Sequence, residues 1–453
     1  MRLAPFTTAV GLAAVLASSA PEVAAAAPPP RTAEAVSPLA AELDRRAAAA
    51  EADLLAWRRH LHAHPELSNR EVETAKFIAE KLRGFGLEPQ TGVARTGVVA
   101  LIEGGRPGPV VALRADMDGL PVKEETDVPF ASKATGEFEG RAVPVMHACG
   151  HDTHMAMLLA AARVLSEMRA QLPGTVKLIF QPAEEGAVAA EQPAGAEKMV
   201  QEGVLVDPKV DAVFGLHSWA LLESGILGWR SGPFMAAADR FEIVVEGRQT
   251  HGSTPWNGVD PIVAAAQIVG ALQTIVSRHV ELVKEPAVVT VGQMEAGIRA
   301  NIIPDRARLV GTIRTFDEGM RETIHARVKQ IAENVASAAG AKALVTIEKG
   351  YPVTANSPDL TARMLPTLER VAPGRTAELR KVTGAEDFSY FQRQVPGFFF
   401  FLGITPADRM ARVESNHSPR FYVDEAALMT GVRALLHLTA DYMHGAPPPA
   451  RAR

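Results

Sequence analysis

The sequence predicts an α/β fold in which a mostly parallel sheet flanked by helices is interrupted by a smaller ferredoxin-like α+β domain. Segments with strand periodicity alternate with segments of helical periodicity over most of the chain. A second unit, of order β-α-β-β-α-β, begins after Ser231-Gly232-Pro233. At 453 residues, the chain is also too long for one ordinary compact core.

The larger sheet is predicted from the first half of the chain. Helical periodicity covers residues 53–85 and 155–168, and strand patterns cover residues 97–103, 110–115 and 176–181. Strands separated by helices are typical of a sheet that is covered by helices.

The inserted domain is predicted from strand and helix patterns that follow position 235. Strand patterns lie at residues 240–246, 287–291 and 306–315, and helical patterns at residues 262–283 and 321–339. After about position 349 the α/β pattern returns. The run FFFFLG, residues 398–403, is apolar throughout, which indicates a fully buried strand.

The two ends of the chain differ in composition from its body. Arg2, a short apolar run and small residues predict a secretory signal peptide, and a disordered Ala/Pro leader is the alternative. We therefore expect an exported protein, either periplasmic or secreted. The predicted divisions are a signal peptide (1–26), an Ala/Pro linker (27–38), a catalytic domain in two parts (39–235 and 348–443), an inserted domain (236–347) and a disordered tail (444–453).

Charge and composition exclude several classes of partner. The formal net charge is -5, so the chain carries no basic field that would attract nucleic acid or an anionic membrane. Beyond the N-terminus, no run approaches the ~18 uncharged apolar residues of a membrane span. Small molecules or peptides are therefore the expected partners.

The stretch MHACGHDTHM, residues 146–155, contains the only cysteine of the chain, Cys149. Exported proteins commonly use cysteines in pairs, and a single cysteine cannot form an internal disulfide. Cys149 is therefore either a small buried apolar residue or a ligand.

Metal-capable side chains follow four predicted strands of the larger sheet. In an open α/β sheet, ligands bind outside the carboxyl ends of the strands, so these side chains should lie together. Thiolate, imidazole and carboxylate form a mixed set that suits Zn²⁺ or similar ions. Each group alone also has a structural interpretation, as a turn cap, a solvated charge or a bonded histidine. The residues are Asp116 and Asp118, Cys149 and His151, Glu184 and Glu185, and His217.

The adjacent Glu184 and Glu185 suggest a division of labour. One carboxylate can bind metal while its neighbour accepts a proton from an activated water and passes it to the leaving group. Two adjacent carboxylates with one role would be redundant.

Several long stretches of the sequence, in the same order along the chain, are shared with one family. They include RRHLHAHPELSNREVETAKFI, RADMDGLPVKE, MHACGHDTHMAMLLAAA, FQPAEEG, GLH, RANIIPDRARLVGTIRTF, GAEDFSYF and NHSPRFY. From about position 56 to 436 the chain resembles M20-type metallopeptidases. The resemblance is to their amidohydrolase branch, which includes hippurate, N-acyl-amino-acid and auxin-conjugate hydrolases.

The resemblance implies a centre of two divalent metal ions (Zn, Mn, Co or Ni) and a general base, Glu184. The implied metal ligands are Cys149, His151, Glu185, His217 and His417. His417 lies 200 positions beyond His217, so the residue spacing alone does not join it to the others.

The resemblance also implies that the inserted domain, residues 236–347, is a lid that carries the contact surface of a homodimer. The lid histidine that stabilises the oxyanion corresponds to His251, although Gln249-Thr250 and Trp256 stand where relatives have Gly-Gly and a second histidine. Asn301 and Arg314 correspond to residues that hold the carbonyl and the carboxylate of the substrate, and arginine suits a carboxylate because its planar fork binds both oxygens.

These inferences predict a metal-dependent amidohydrolase that cleaves N-acyl amino acids or similar conjugates. A dipeptidase or carboxypeptidase on the same scaffold is the alternative. A periplasmic protein that binds conjugates without cleaving them is a third possibility, but it would not need Glu184 beside Glu185.

Overall fold

The computed structural model describes residues 36–445. The predicted signal peptide, residues 27–35 of the predicted linker and residues 446–453 of the predicted tail lie outside this range. The α-helices within it are α1 (Ala40–Ala49), α2 (Glu51–Ala63), α3 (Val72–Gly84), α4 (His151–Glu167), α5 (Gly195–Gln201), α6 (Pro261–Thr274), α7 (Glu318–Ala338), α8 (Pro358–Val371), α9 (Ser389–Gln392) and α10 (Leu428–Gly445). The strands are β1 (Gln90–Val93), β2 (Gly97–Glu103), β3 (Arg106–Asp116), β4 (Thr135–Phe138), β5 (Arg141–Pro144), β6 (Pro173–Gln181), β7 (Ala212–Glu223), β8 (Leu227–Trp229), β9 (Gly232–Met235), β10 (Ala237–Glu246), β11 (Thr250–His251), β12 (Ala287–Ala296), β13 (Ile302–Ile303), β14 (Arg306–Thr315), β15 (Lys342–Lys349), β16 (Thr354–Asn356), β17 (Thr376–Glu378) and β18 (Gly397–Thr405).

The larger sheet contains eight strands in the order β1-β2-β6-β3-β7-β18-β8-β17. Its four central strands, β6, β3, β7 and β18, run parallel to one another. Antiparallel strands β1 and β2 continue the sheet beyond β6. Helices cover both faces, so the predicted fold class is confirmed.

Strand β18 shows why the run of phenylalanines is buried on both sides. Phe398 and Phe400 belong to the core beneath the long helices, whereas Phe399 and Phe401 belong to the core on the opposite face of the sheet. Because successive side chains of a strand point to opposite faces, a strand between two helical layers has no polar face.

The inserted domain is a second sheet with its own core. The order of its four antiparallel strands is β12-β14-β10-β15, and α6 and α7 pack on one face. Along the chain the order is β-α-β-β-α-β, which is the ferredoxin-like arrangement. Asp260 starts α6 by accepting the backbone N–H groups of Ile262 and Val263.

Three sequence predictions about elements need correction. The predicted helix at 262–283 ends at Thr274 and is followed by a π-helical turn over Ile275–His279, and the apolar residues that prolonged the pattern, Leu282 and Val283, are exposed. His217 lies within β7, which continues to Glu223, and does not follow the strand. Helix α10 includes residues 444 and 445, which the sequence assigns to the tail.

The chain enters and leaves the inserted sheet beside one buried carboxylate. Asp239, on β10, accepts hydrogen bonds from Arg321 of α7 at 2.9 Å and from the backbone N–H of Gly350 at 3.0 Å, and it contacts His325 at 2.7 Å. β10 is the first strand of the inserted sheet, and Gly350 directly follows its last strand, β15. The cluster therefore links both connections between the two domains to α7.

One helical stretch within the described residues, Pro261–His279, is long and apolar enough to cross a membrane by length and composition alone. Helices in domain cores pass the same test, and the inner face of α6 packs Ala264, Ile268 and Leu272 into the core of the inserted domain. Only 33% of the stretch is buried. Its exposed face is mixed, since Ile262 and Val263 lie there together with Gln267 and Gln273.

Candidate metal centre

The register of the larger sheet brings the ends of its central strands to one level. Asp116, the last residue of β3, pairs with Gln181 of β6, and Arg114 pairs with Gly215 of β7. Two residues beyond Gly215, His217 therefore lies level with Asp116. The Glu184-Glu185 loop follows β6 directly, which places it at the same edge.

The lone thiol lies at the centre of a group of metal-capable atoms. The Sγ of Cys149 is 3.3 Å from the Nε2 of His217 and 3.2 Å from the Nε2 of His417. His417 Nε2 is also 3.1 Å from the Oε1 of Glu185. Side chains from residues 149, 185, 217 and 417 therefore meet, although 268 positions separate the first from the last.

A short loop places Cys149 and His151. Gly150 between them has a φ of 93°, a left-handed conformation that favours glycine, and α4 begins at His151. A Cβ at this position would lie 3.1 Å from the Cβ of Ser218. The turn therefore needs glycine both for its backbone and for its contact with β7.

Asn416 holds the C-terminal loop against this centre. Its amide donates to the backbone carbonyls of Cys149 at 3.2 Å and Ser218 at 3.0 Å, and its oxygen accepts the N–H of Ala220 at 3.0 Å. His417, whose φ is 73°, adds a backbone hydrogen bond to Ala148 at 2.8 Å. These contacts explain how His417 reaches the other side chains.

Hydrogen bonds set the tautomers of two histidines. The Nδ1 of His151 donates to the backbone carbonyl of Asp118 at 2.8 Å, and that of His217 donates to the carbonyl of Ser218 at 2.9 Å. In both rings Nε2 is left for another partner, which is the arrangement that metal-binding histidines use.

One buried atom in the centre, the Nε2 of His151, has no hydrogen-bond partner among the described residues. Carboxylate oxygens of Asp116, Glu184 and Glu185 surround His151 Nε2 at 3.8 to 3.9 Å. These distances are too long for hydrogen bonds. They are close to the ~3.3–3.7 Å that separates tetrahedral ligands placed 2.0–2.3 Å from one ion.

Overlapping groups of donor atoms leave room for two ions. Cys149, Glu185 and His417 form one group, and His151, Glu184 and Glu185 form another. Glu185 is common to both groups, so its carboxylate could bridge two cations.

His154 belongs to the shell that supports these groups. Its Nε2 accepts the backbone N–H of Ser218 at 2.7 Å, so its Nδ1 carries the proton and donates to Asp116 at 2.5 Å. Because both ring nitrogens are occupied, His154 is not free to bind an ion.

Burial and crowded carboxylates set the protonation of the centre in the absence of cations. Burial raises the pKa of the Cys149 thiol, and Glu185 and Glu184 raise it further. Burial also raises the pKa of Glu184, with a further contribution from Glu386. Burial opposes protonation of His151, but Asp116 and Asp118 outweigh it and raise its pKa to about 10.

His217 behaves in the opposite way, since burial lowers its pKa and keeps the ring neutral. A neutral imidazole is the form that binds metal. The thiol, by contrast, needs a cation beside it before it can ionise. The donor set therefore fits divalent cations.

A cavity of about 400 Å³ opens above the centre. Cys149, Glu184 and His417 lie in its wall together with Arg314 of β14. Within the described residues, the Arg314 guanidinium makes no hydrogen bond or ion pair, and burial lowers its pKa. A half-buried guanidinium with no hydrogen-bonded anion is a candidate site for a carboxylate.

His251 and Asn301 do not line this cavity. They lie beside each other in the inserted domain, where β11 pairs with β13 and the N–H of Gly252 donates to the carbonyl of Asn301 at 2.9 Å. Both residues are exposed. The structure therefore brings together the five predicted ligands, Glu184 and Arg314, but not His251 or Asn301.

Sequence reasoning did not assign the residues that support the centre. Arg114 donates to Asp116 at 2.7 Å, Glu386 at 2.8 Å and Asp387 at 2.9 Å, so one buried guanidinium contacts three buried carboxylates. Glu386 and Asp387 lie in the quoted stretch GAEDFSYF, so their position was visible in the sequence but their partner was not.

The model of the family described as Peptidase family M20/M25/M40 matches residues 112–441. A thermostable carboxypeptidase 2 of Saccharolobus solfataricus is 42% identical over 379 residues, which are 83% of this chain and 92% of that protein. An N-acyl-L-amino acid amidohydrolase of Geobacillus stearothermophilus is 44% identical over 310 residues, which are 68% of this chain and 80% of that protein.

A solved structure shares both the fold and the sequence. It is the Bacillus subtilis YXEP protein, described as a dinuclear metal-binding peptidase from the M20 family, with a TM-score of 0.73 and 37% identity. The match covers 88% of this chain and 100% of that chain.

Proposed function

Because the chain belongs to peptidase family M20/M25/M40, we propose that it removes the acyl group from N-acyl amino acids or similar conjugates by hydrolysing their amide bond. The protein is a metal-dependent hydrolase that acts on amides. One observation carries the assignment: the Cys149 thiol lies 3.2 to 3.3 Å from the imidazoles of His217 and His417, and His417 lies 3.1 Å from Glu185. A second carboxylate and an unpaired arginine line the same cavity.

In this proposal five side chains hold two divalent ions, which are Zn, Mn, Co or Ni. When bound, such ions make water acidic near neutral pH and stabilise negative charge on the carbonyl oxygen. The buried Nε2 of His151, which has no hydrogen-bond partner among the described residues, supports this assignment. The ligands are Cys149, His151, Glu185, His217 and His417.

Glu184 is the general base. Its carboxylate lines the cavity, and burial and neighbouring carboxylates raise its pKa, so it accepts a proton readily. It takes the proton of the attacking water and delivers it to the nitrogen of the leaving amino acid.

Arg314 holds the carboxylate of that amino acid. Its guanidinium has no partner within the described residues, and its place in the cavity wall lets it meet an anion. The substrate would then lie between Arg314 and the metal-binding side chains.

We further propose that the protein is a homodimer, in which His251 and Asn301 serve the partner's centre. Their position outside the cavity of their own chain supports a role in trans. His251 would stabilise negative charge on the carbonyl oxygen, and Asn301 would hold that carbonyl.

The inserted domain carries a surface suited to a second copy. Strand β12 is an edge of its sheet, and unpaired edges pair readily with another chain. Val288 and Met294 of β12 and Ile262 and Val263 of α6 are exposed apolar residues. Burial of these side chains would favour association.

Export to the periplasm or the medium is part of the proposal and rests on the N-terminal sequence. Many exported proteins form disulfide bonds. This chain has one cysteine, which the proposal assigns to metal binding, so its folding after export would not require a disulfide bond.

The test of the function combines turnover with metal analysis. We expect the purified, metal-loaded protein to hydrolyse N-acyl amino acids faster than dipeptides with a free amino terminus. Glu184→Gln should abolish hydrolysis while two ions per chain remain bound, and Glu103→Gln, at an exposed end of β2, should change neither. Retained turnover in Glu184→Gln would refute the base assignment.

The runner-up is a dipeptidase or carboxypeptidase. The relative named as a carboxypeptidase favours it, because the carboxylate of a peptide would meet Arg314 in the same way. Faster turnover of the free dipeptides in the same panel would select it.

A further inference from the structure

The peptide that carries Glu184 has an unusual backbone. The residue before it, Ala183, has a φ of 50°, although it is not glycine. A left-handed alanine is strained, because its Cβ crowds the backbone, and it persists only where surrounding groups hold it. The conformation therefore requires contacts that maintain it.

Three side chains supply those contacts. Glu71 accepts the backbone N–H of Ala183 at 2.8 Å. Asp118 accepts the next two N–H groups, from Glu184 at 3.1 Å and from Glu185 at 3.0 Å. The Tyr351 hydroxyl donates to the carbonyl of Glu184 at 2.6 Å.

Two of these side chains come from distant parts of the chain. Glu71 directly precedes α3, is fully buried, and accepts a second hydrogen bond from Thr96 at 2.5 Å. Tyr351 lies in the connection that returns from the inserted domain, next to Gly350 and the Asp239 cluster. The backbone at position 184 is thus held from the helical side of the larger domain and from the connection to the lid.

Glu71 is a fully buried carboxylate. A buried carboxylate is costly unless hydrogen bonds compensate for the lost water. The Glu71 carboxylate accepts hydrogen bonds from the Ala183 N–H and from the Thr96 hydroxyl, and both bonds fix loops at the metal-bearing edge of the sheet.

We propose that Glu71 and Tyr351 are positioning residues that hold the general base Glu184 in its catalytic orientation by fixing the left-handed turn at Ala183. The inference rests on the proposed function, since it gives Glu184 the role of base. A displacement of about 1 Å can lower a rate by about a hundredfold, so backbone contacts of this kind affect catalysis directly.

Tyr351→Phe tests the proposal because it removes one hydroxyl and keeps the ring. We expect kcat for an N-acyl amino acid to fall about three- to tenfold, the value of one hydrogen bond, with KM, bound metal and melting temperature unchanged. Tyr390 offers a matched control: its ring packs edge-on against Tyr351 at 6.2 Å, and its hydroxyl bonds Glu197. Tyr390→Phe should leave kcat unchanged.

Glu71 is tested by a conservative pair. Glu71→Gln keeps an acceptor oxygen for the Ala183 N–H and should retain at least about a third of kcat, whereas Glu71→Leu should lose about tenfold or more. Equal losses in both variants would overturn the acceptor role. An unchanged kcat in Tyr351→Phe, or an equal loss of kcat in Tyr390→Phe, would overturn the positioning role of Tyr351.

The wild-type protein and Glu184→Gln separate this proposal from the function itself. If the wild type has no turnover, or Glu184→Gln keeps it, the proposed function fails. If those two behave as expected and Tyr351→Phe has normal kcat, only the positioning role fails.

Discussion

Arg314 is the one arginine or lysine in the wall of the cavity above the candidate metal centre, and it forms no hydrogen bond or ion pair with the described residues. Elsewhere in the same domain, arginines such as Arg240 are paired, in that case with Glu242 and Glu348. An unpaired guanidinium in a cavity wall forms no bond that stabilises the fold, but it can bind the carboxylate of a ligand through two hydrogen bonds. Its partner is therefore expected to arrive with the substrate.

Removing Arg314 should weaken substrate binding more than it slows the reaction. We expect Arg314→Ala to raise KM for an N-acyl amino acid by about 10- to 100-fold, as for a lost hydrogen bond to a charged group, with kcat changed less. The matched substrate is the corresponding N-acyl amino acid amide, which lacks the carboxylate and should be insensitive to the variant. An equal effect on both substrates would exclude the carboxylate contact, and Arg240→Ala serves as the control variant.

Metal binding should release protons. Without cations, the raised pKa values keep the Cys149 thiol neutral and His151 charged, with a pKa of about 10. Both groups must lose a proton to bind an ion, so roughly two or more protons should leave at pH 7, and affinity should fall as the pH falls. Calorimetry in buffers of different ionisation enthalpy measures this number, and Cys149→Ser should lower it by about one.

Single residues were predictable where a stretch of sequence carried their chemistry. The thiol, the histidines and the glutamate pair stand in recognisable stretches, and the structure brings them together. Asn416 and Asp118 act by bonding backbone groups far along the chain, such as the carbonyl of Ser218 and the N–H of Glu184. Hydrophobic periodicity does not indicate such long-range contacts, so the sequence did not predict that Asn416 and Asp118 hold these backbone groups.

At the scale of elements, periodicity predicted strands that are half or fully buried. The strands at 97–103 and 306–315 have the predicted bounds. The helix at 262–283 was overextended because Leu282 and Val283 continue the apolar pattern while being exposed. Pattern alone does not distinguish an apolar surface from a core.

The Asp239 cluster should govern how firmly the inserted sheet is held to α7. Asp239→Asn breaks the buried ion pair with Arg321 and leaves that guanidinium only the longer contact with the exposed Glu318 at 3.4 Å. Breaking a buried pair typically costs about 3–5 kcal/mol. We expect the free energy of unfolding to fall by about that amount in urea titrations. Glu242→Gln, which breaks a surface pair with Arg308, should shift the midpoint far less, and an equal shift would contradict the assignment.

The same cluster predicts a pH dependence of stability. Burial raises the pKa of Asp239, but His325 and Arg321 outweigh it and lower the pKa to about 2. Its contribution is therefore complete above about pH 4 and is lost as the pH falls through about 2. The difference in unfolding free energy between wild type and Asp239→Asn should narrow between pH 5 and pH 3, and a constant difference would exclude this origin.

At the scale of the whole molecule, the position of His251 could not be read from the sequence. The resemblance left open whether it serves its own centre or a partner's. The structure places it outside the cavity of its own chain, beside Asn301. Its place relative to a second copy depends on the surface of the inserted domain, which is a property of the assembled molecule.

Complementation tests the role of His251 in trans. His251→Ala and Glu184→Gln should each be inactive, but in a mixed dimer one centre receives an intact Glu184 from one chain and an intact His251 from the other. We expect refolding the two variants together to restore about a quarter of wild-type activity, if dimers form at random. No recovery, in a mixture shown by mass spectrometry to contain mixed dimers, would place His251 in its own centre.

The loop of Asn416 and His417 brings the last donor atom to the site from near the end of the chain. A ribosome still translating this message has already made Cys149, Glu184 and Glu185, yet the nascent polypeptide cannot finish the site until residue 417 has emerged. Prematurely terminated products should therefore be inert as hydrolases, whatever else of their sequence has been synthesised.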